Sequence, residues 1–153
     1  GNKKGVIVAN TTFKLALWAD AMFAMDKDWW NIYGDEVQRD FLGVKYSNNP
    51  VKNVEHLKKF EHFGNSGASC ISLAIMGGAK RIILLGFDCQ ETNGLKHWHG
   101  NHPKGLGNAG MMPKWHKKFA EMATKWPDLI VNATRQTALI CFERVKLENE
   151  IAN

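Results

Sequence analysis

The stretch "NSGASCISLAIMGGAKRIILLGFD" (65–88) limits the fold more than any other part of the chain. Asn65 or Ser66 can cap a helix whose apolar positions include Ile71, Leu73, Ala74 and Ile75. Gly77 and Gly78 then stop it. "RIILLGFD" follows as a continuous apolar run, the pattern of a parallel strand buried on both faces. Helix, glycine stop and buried strand make half of a βαβ unit.

The rest of the chain repeats the alternation. "GVIVAN" (5–10) reads as a short strand that ends in a polar residue, and "ADAMFAMD" (19–26) as a second that ends in an aspartate. "KDWWNIYGDEVQRDF" has helical spacing through Trp29, Trp30, Ile32 and Tyr33, with a break expected at Gly34. "LGVKYS" is another strand candidate, Pro50 marks a turn, and 53–63 reads as polar with a helical turn. "KWHKKFAEMATKW" is amphipathic through Trp115, Phe119, Met122 and Trp126, and "DLIVNAT" forms a last strand. This order predicts a Rossmann-like three-layer α/β sandwich with a mostly parallel sheet. We expect one domain over 1–153, with 143–153 as a surface tail.

Ligands of such sheets bind beyond the carboxyl ends of the strands. Asn10, Asp26, Asp88 and Asn132 end the strands and are the first candidates, although Asn and Asp also favour turns for structural reasons. The net charge of +5 suits an anionic ligand such as a nucleotide and is too small to indicate nucleic acid. Lys114, Lys117, Lys118 and Lys125 read as the solvated face of one helix. The apolar runs are strand-sized, so no membrane span is expected. Cys70, Cys89 and Cys141 are scattered and odd in number, which favours a reducing cytoplasm over a disulfide framework.

Between Cys89 and Pro113 the sequence is glycine-rich and without period, a length of loop that is usually functional. It holds "HWHGNHP", with His97, His99 and His102 in the pattern H-x-H-x-N-H. That pattern resembles the H-x-H-x-D-H zinc motif of metallo-β-lactamase-type hydrolases, with Asn101 in place of the ligand aspartate. A second reading makes one histidine a general base, since imidazole titrates near neutrality. The third is a polar loop that closes the site. We expect no bound metal in the histidine stretch, and metal-dependent hydrolysis stays as the minority alternative.

"GNSG" (64–67) leaves backbone N–H groups free at a helix start, where the dipole favours an anion; a plain N-cap is the bland alternative. Neither a Walker pattern nor G-x-G-x-x-G after a strand is present. Asp88 can bind a ribose hydroxyl or a divalent metal, orient a histidine, or merely cap the loop. Arg135, in "NATRQTAL" (132–139), can pair with a phosphate or lie in a surface turn.

The pattern N-S-G, small-residue helix, G-G-A-K, apolar strand and G-F-D is similar to bacterial sialyltransferases that use a CMP-linked donor. It is also similar to the domain-of-unknown-function group that includes archaeal hydroxymethylpterin pyrophosphokinases. Nearer still, "VIVANTTFKLALWADAMFAMDKDWW", "HWHGNHP" and "VNATRQTAL" resemble a group of phage and prophage proteins. Members usually begin with an extra strand and a glycine- and serine-rich turn near the donor phosphates. That element is not found here, so the chain is expected as a fragment or a variant with an incomplete phosphate site.

The resemblance implies that Asn10 and the Asn65–Ser66–Gly67 helix start face a nucleotide, with Gly86 and Asp88 lining the same crevice. One of His97, His99 and His102 would activate an acceptor hydroxyl. The expected function is a phage-type, glycosyltransferase-like nucleotide-binding transferase in the cytoplasm of an infected or lysogenic bacterium. Its ligand would be a CMP-linked sugar or a nucleoside triphosphate with a divalent metal. A homo-oligomer is compatible with this reading. A non-catalytic, virion-associated binding module that keeps the fold is the alternative.

Overall fold

The computed structural model describes residues 4–90 and 112–152. The chain is mixed α/β and divides into two compact units, Gly1–Met76 and Gly77–Asn153. Each unit is built on its own parallel sheet. Among the described residues no helix is long and apolar enough to cross a membrane.

In the first unit β1 (Ile7–Ala9) runs into a 3-10 helix, Asn10–Leu15, before β2 (Ala21–Phe23). Helix α1 (Lys27–Asp40) carries the chain to β3 (Val44–Ser47). Then come β4 (Glu55–His56) and α2 (Ser66–Met76). The strands lie in the order β1-β2-β3-β4, all parallel, with Val8 opposite Met22 and Met22 opposite Lys45. α2 packs on β1 and β2. Its inner residues Ala68, Ser69, Ile71 and Leu73 are buried. Small side chains at the start of this helix allow a close approach to the sheet.

α1 runs unbroken through Gly34, contrary to the break expected there. A glycine inside a helix costs only about 1 kcal/mol relative to alanine. Burial of Trp29, Trp30 and Val37 on the inner face outweighs that. Phe13 meets Trp29 edge-on at 6.1 Å and Phe41 at 6.5 Å. The Trp30 indole N–H donates to the Ala24 carbonyl at 2.9 Å, which satisfies its polar atom in the core. The helical turn expected in 53–63 is also corrected. Residues 55 and 56 form the edge strand β4, and the Leu57 N–H donates to the Ser47 carbonyl at 2.8 Å.

In the second unit β5 (Ile82–Leu84), α3 (Met112–Lys125), β6 (Ile130–Asn132) and β7 (Glu143–Arg144) make a parallel sheet in the order β5-β6-β7. β5 is shorter than the apolar run and is not buried on both faces throughout, since Ile83 is half-buried and Leu85 is exposed. The fully buried strand is β6, flanked on both sides. Phe119 and Met122 of α3 are buried, and Phe119 packs edge-on to Phe87 and Phe142 at 5.9 and 6.3 Å. Trp115 and Trp126 are half-buried, and the four lysines expected on the polar face are exposed. In the segment read as a surface tail, β7 pairs with β6. The short helix α4 (Leu147–Ile151) follows, and its Glu150 accepts from Nε and Nη2 of Arg81 at 2.8 and 2.9 Å.

Candidate functional site

At the carboxyl edge of the first sheet, Asn10 leaves β1 with φ of 48°, a left-handed conformation that asparagine tolerates better than most residues. Its Oδ1 is buried with no hydrogen-bond partner. Two residues beyond β2, the backbone of Met25 is held from both sides. Its N–H donates to Ser66 Oγ at 3.1 Å, and its carbonyl accepts from Asn49 Nδ2 at 2.7 Å. The exit of β2 is thereby tied to the start of α2 and to the loop after β3.

The N-cap of α2 is resolved by the same geometry. Asn65 Oδ1 accepts from the Ala68 N–H at 2.8 Å, so Asn65 is the cap. Ser66 is the first helical residue and spends its hydroxyl on Met25 instead. Asn65 Nδ2 is left buried without a partner, and Asn48 Oδ1 is in the same condition. Gly67, in the first turn, is half-buried. Asp26 occupies the N-cap position of α1 yet makes no side-chain cap bond, and it is exposed. Its carboxylate is therefore not consumed by the helix it precedes.

Three asparagines that follow β1, follow β3 or start α2 thus each carry a buried amide atom without a partner among the described residues. Leaving such an atom unpaired costs about 1–3 kcal/mol, which is why native interiors seldom do so. These three amides offer two acceptors and one donor; Trp29 Nε1 and Ser72 Oγ are also buried without a partner among the described residues. Strained or unsatisfied groups of this kind concentrate where a ligand completes them.

The second unit has its own carboxyl edge. Gly86 turns the chain out of β5 with φ of 72°, which only glycine adopts freely. Phe87 is gripped through its backbone: its N–H donates to Thr134 Oγ1 at 3.0 Å, and its carbonyl accepts from Thr137 Oγ1 at 2.6 Å. The Asp88 carbonyl accepts from the Ala138 N–H at 2.9 Å. "NATRQTAL" therefore clamps the exit of β5. Asp88 is half-buried, and desolvation raises its carboxyl above the ordinary range. Arg135 is exposed, and its carbonyl, like that of Thr134, accepts from the Arg144 guanidinium.

Asn132 is corrected as a ligand candidate. It is fully buried, its Oδ1 accepts from the Thr134 N–H at 3.0 Å and its Nδ2 donates to the Leu139 carbonyl at 3.4 Å. Both halves of the amide hold the loop after β6, and its complete burial keeps it from a ligand.

The cysteines are free thiols. Burial pushes Cys70 up to about 12 and Cys89 up to about 11, the latter helped by Asp88 and Cys141, and raises Cys141 as well. Protonated thiols of this kind are poor nucleophiles at neutral pH. Among the described residues, no group of three or more His, Cys, Asp or Glu side chains is gathered as a metal site. His97, His99 and His102 lie outside the described residues.

Asn48, Asn49 and His62 belong to the first edge and escape the sequence reading, which takes "SNNP" only as a turn. The available signal is two amides in succession directly after a strand. Comparison with protein-family models, with curated proteins and with solved structures finds no match for this chain.

Proposed function

We propose that the chain is a nucleotide-binding transferase of Rossmann-like type, with the nucleotide held at the carboxyl edge of the first unit's sheet. The observation that carries this reading is the set of buried, unpartnered amide atoms on Asn10, Asn48 and Asn65. Two carbonyl acceptors suit ribose hydroxyls or the exocyclic amine of a base. The Asn65 donor stands at a helix start whose dipole favours phosphate. Asp26, exposed after β2, is a further acceptor for hydroxyl groups.

The transfer step rests on sequence: one of His97, His99 and His102 takes the proton of an acceptor hydroxyl. The donor is a nucleotide-activated group of the kind the sialyltransferase resemblance implies.

Thermal melts with CMP, CDP and ATP test the binding half. A ligand present at 100 times its Kd stabilises by about 2.7 kcal/mol. At about 2–4 °C per kcal/mol this raises Tm by roughly 5–10 °C. Unchanged melting with all three at millimolar concentration overturns the proposal.

A further inference from the structure

His62, which the sequence reading leaves without a role, sits directly before the start of α2. Its Nδ1 accepts a hydrogen bond from the Gly64 N–H at 3.1 Å. Its carbonyl accepts from Ser69 Oγ at 3.0 Å and from the Asn65 N–H at 3.4 Å. Between ring and helix the chain turns through two left-handed residues, Phe63 with φ of 50° and Gly64 with φ of 78°. A ring nitrogen that accepts a bond carries no proton, so the neutral ring holds its hydrogen on Nε2. Among the described residues Nε2 has no partner, and the half-buried ring is anchored through its other nitrogen. Three residues on, Asn65 Nδ2 is buried and, among the described residues, without a partner.

We infer that His62 is a phosphate-reading residue of the nucleotide site, donating Nε2–H to a phosphate oxygen beside the Asn65 Nδ2 donor. This rests on the nucleotide reading above and adds to it a means of telling a nucleotide from a nucleoside. Base and sugar are left to the acceptors Asn10 and Asn48. The donors Asn65 and His62 meet the anion.

The two ring nitrogens can be separated by substitution. In His62→Asn the side-chain oxygen stands near the place of Nδ1, so the Gly64 N–H keeps an acceptor while the outer donor is lost. In His62→Gln the amide N–H reaches about as far as Nε2, and the outer donor is kept. Calorimetric titration of the full chain and both variants with cytidine and with CDP provides the test.

The expected result is an unchanged cytidine affinity in His62→Asn with CDP weakened about tenfold, the loss of one hydrogen bond to a charged acceptor. His62→Gln should retain more CDP affinity than His62→Asn. Equal weakening of both ligands, wild-type CDP affinity in His62→Asn, or the reverse order of the variants overturns the inference and leaves the nucleotide reading standing. Absence of binding to the unmodified chain removes both.

Discussion

Two glycines of the first unit, nine residues apart, should respond to alanine with opposite signs. A Cβ on Gly43 would lie 2.3 Å from the Ala19 carbonyl oxygen, and 2.6 and 2.7 Å from the Asp20 carbonyl oxygen and carbon. To reach an ordinary separation, the opposing peptide planes must retreat by about 1 Å. They are not free to do so, because the Asp20 carbonyl accepts from the Val44 N–H at 2.9 Å where β2 and β3 begin to pair. Overpacking of this kind costs about 1–3 kcal/mol, and the broken bond adds about 1 kcal/mol. Gly43→Ala should therefore destabilise by about 2–4 kcal/mol. Gly34→Ala meets only Trp30 Cε3 at 3.9 Å, an ordinary contact, and gains helix propensity of about 1 kcal/mol. Urea denaturation followed by tryptophan fluorescence reads both variants, since Trp29 and Trp30 are buried in the same unit. A Gly43→Ala midpoint equal to wild type, or a Gly34→Ala midpoint below it, would refute the packing described for this sheet.

The remaining predictions concern the two edges. Asn10→Gly suits the left-handed backbone and removes a buried, unpaired oxygen, so stability should hold or rise by up to about 1 kcal/mol. Nucleotide affinity should meanwhile fall about tenfold, read by calorimetry; a variant that binds as well as wild type would remove Asn10 from the site. Asp88 has a folded-state pKa raised by desolvation, so the fold binds its proton more tightly than the unfolded chain does. Its stabilising contribution is present below the ordinary carboxylate range and is lost as pH rises through the folded value. Relative to wild type, Asp88→Asn should therefore gain stability as pH rises from about 3.5 to 6.5. Urea midpoints across that range check the sign, and Asp40 and Glu150, whose carboxyls are lowered by Arg39 and Arg81, cancel because both proteins contain them.

What was legible in the sequence is what local chemistry decides. α2 and its glycine stop follow from small residues, a capping asparagine and Gly78 at φ of 78°, all between positions 65 and 78. Two of the four expected strand ends hold, at Asn10 and Asn132, whereas β2 and β5 stop three and four residues short of Asp26 and Asp88. The misreadings occur where distant partners decide the outcome. Gly34 reads as a break until Trp29 is seen packed against Phe13 and Trp30 against Trp29, and Glu55–His56 is a strand only because Ser47 and Tyr46 lie alongside it. Asn132 and Asn49 show the same limit at the edges. Both are asparagines at or just beyond a strand, yet Asn132 turns both ends of its buried amide to Thr134 and Leu139, while Asn49 reaches Met25, 24 positions away. An asparagine's residue type states what it can bond and leaves open whether the fold has already taken those bonds. Asn10, Asn48 and Asn65 stand apart because folding buries an amide atom of each and leaves it unpaired among the described residues. That combination is visible only once the strands are laid side by side, and it is why the first edge carries the functional proposal.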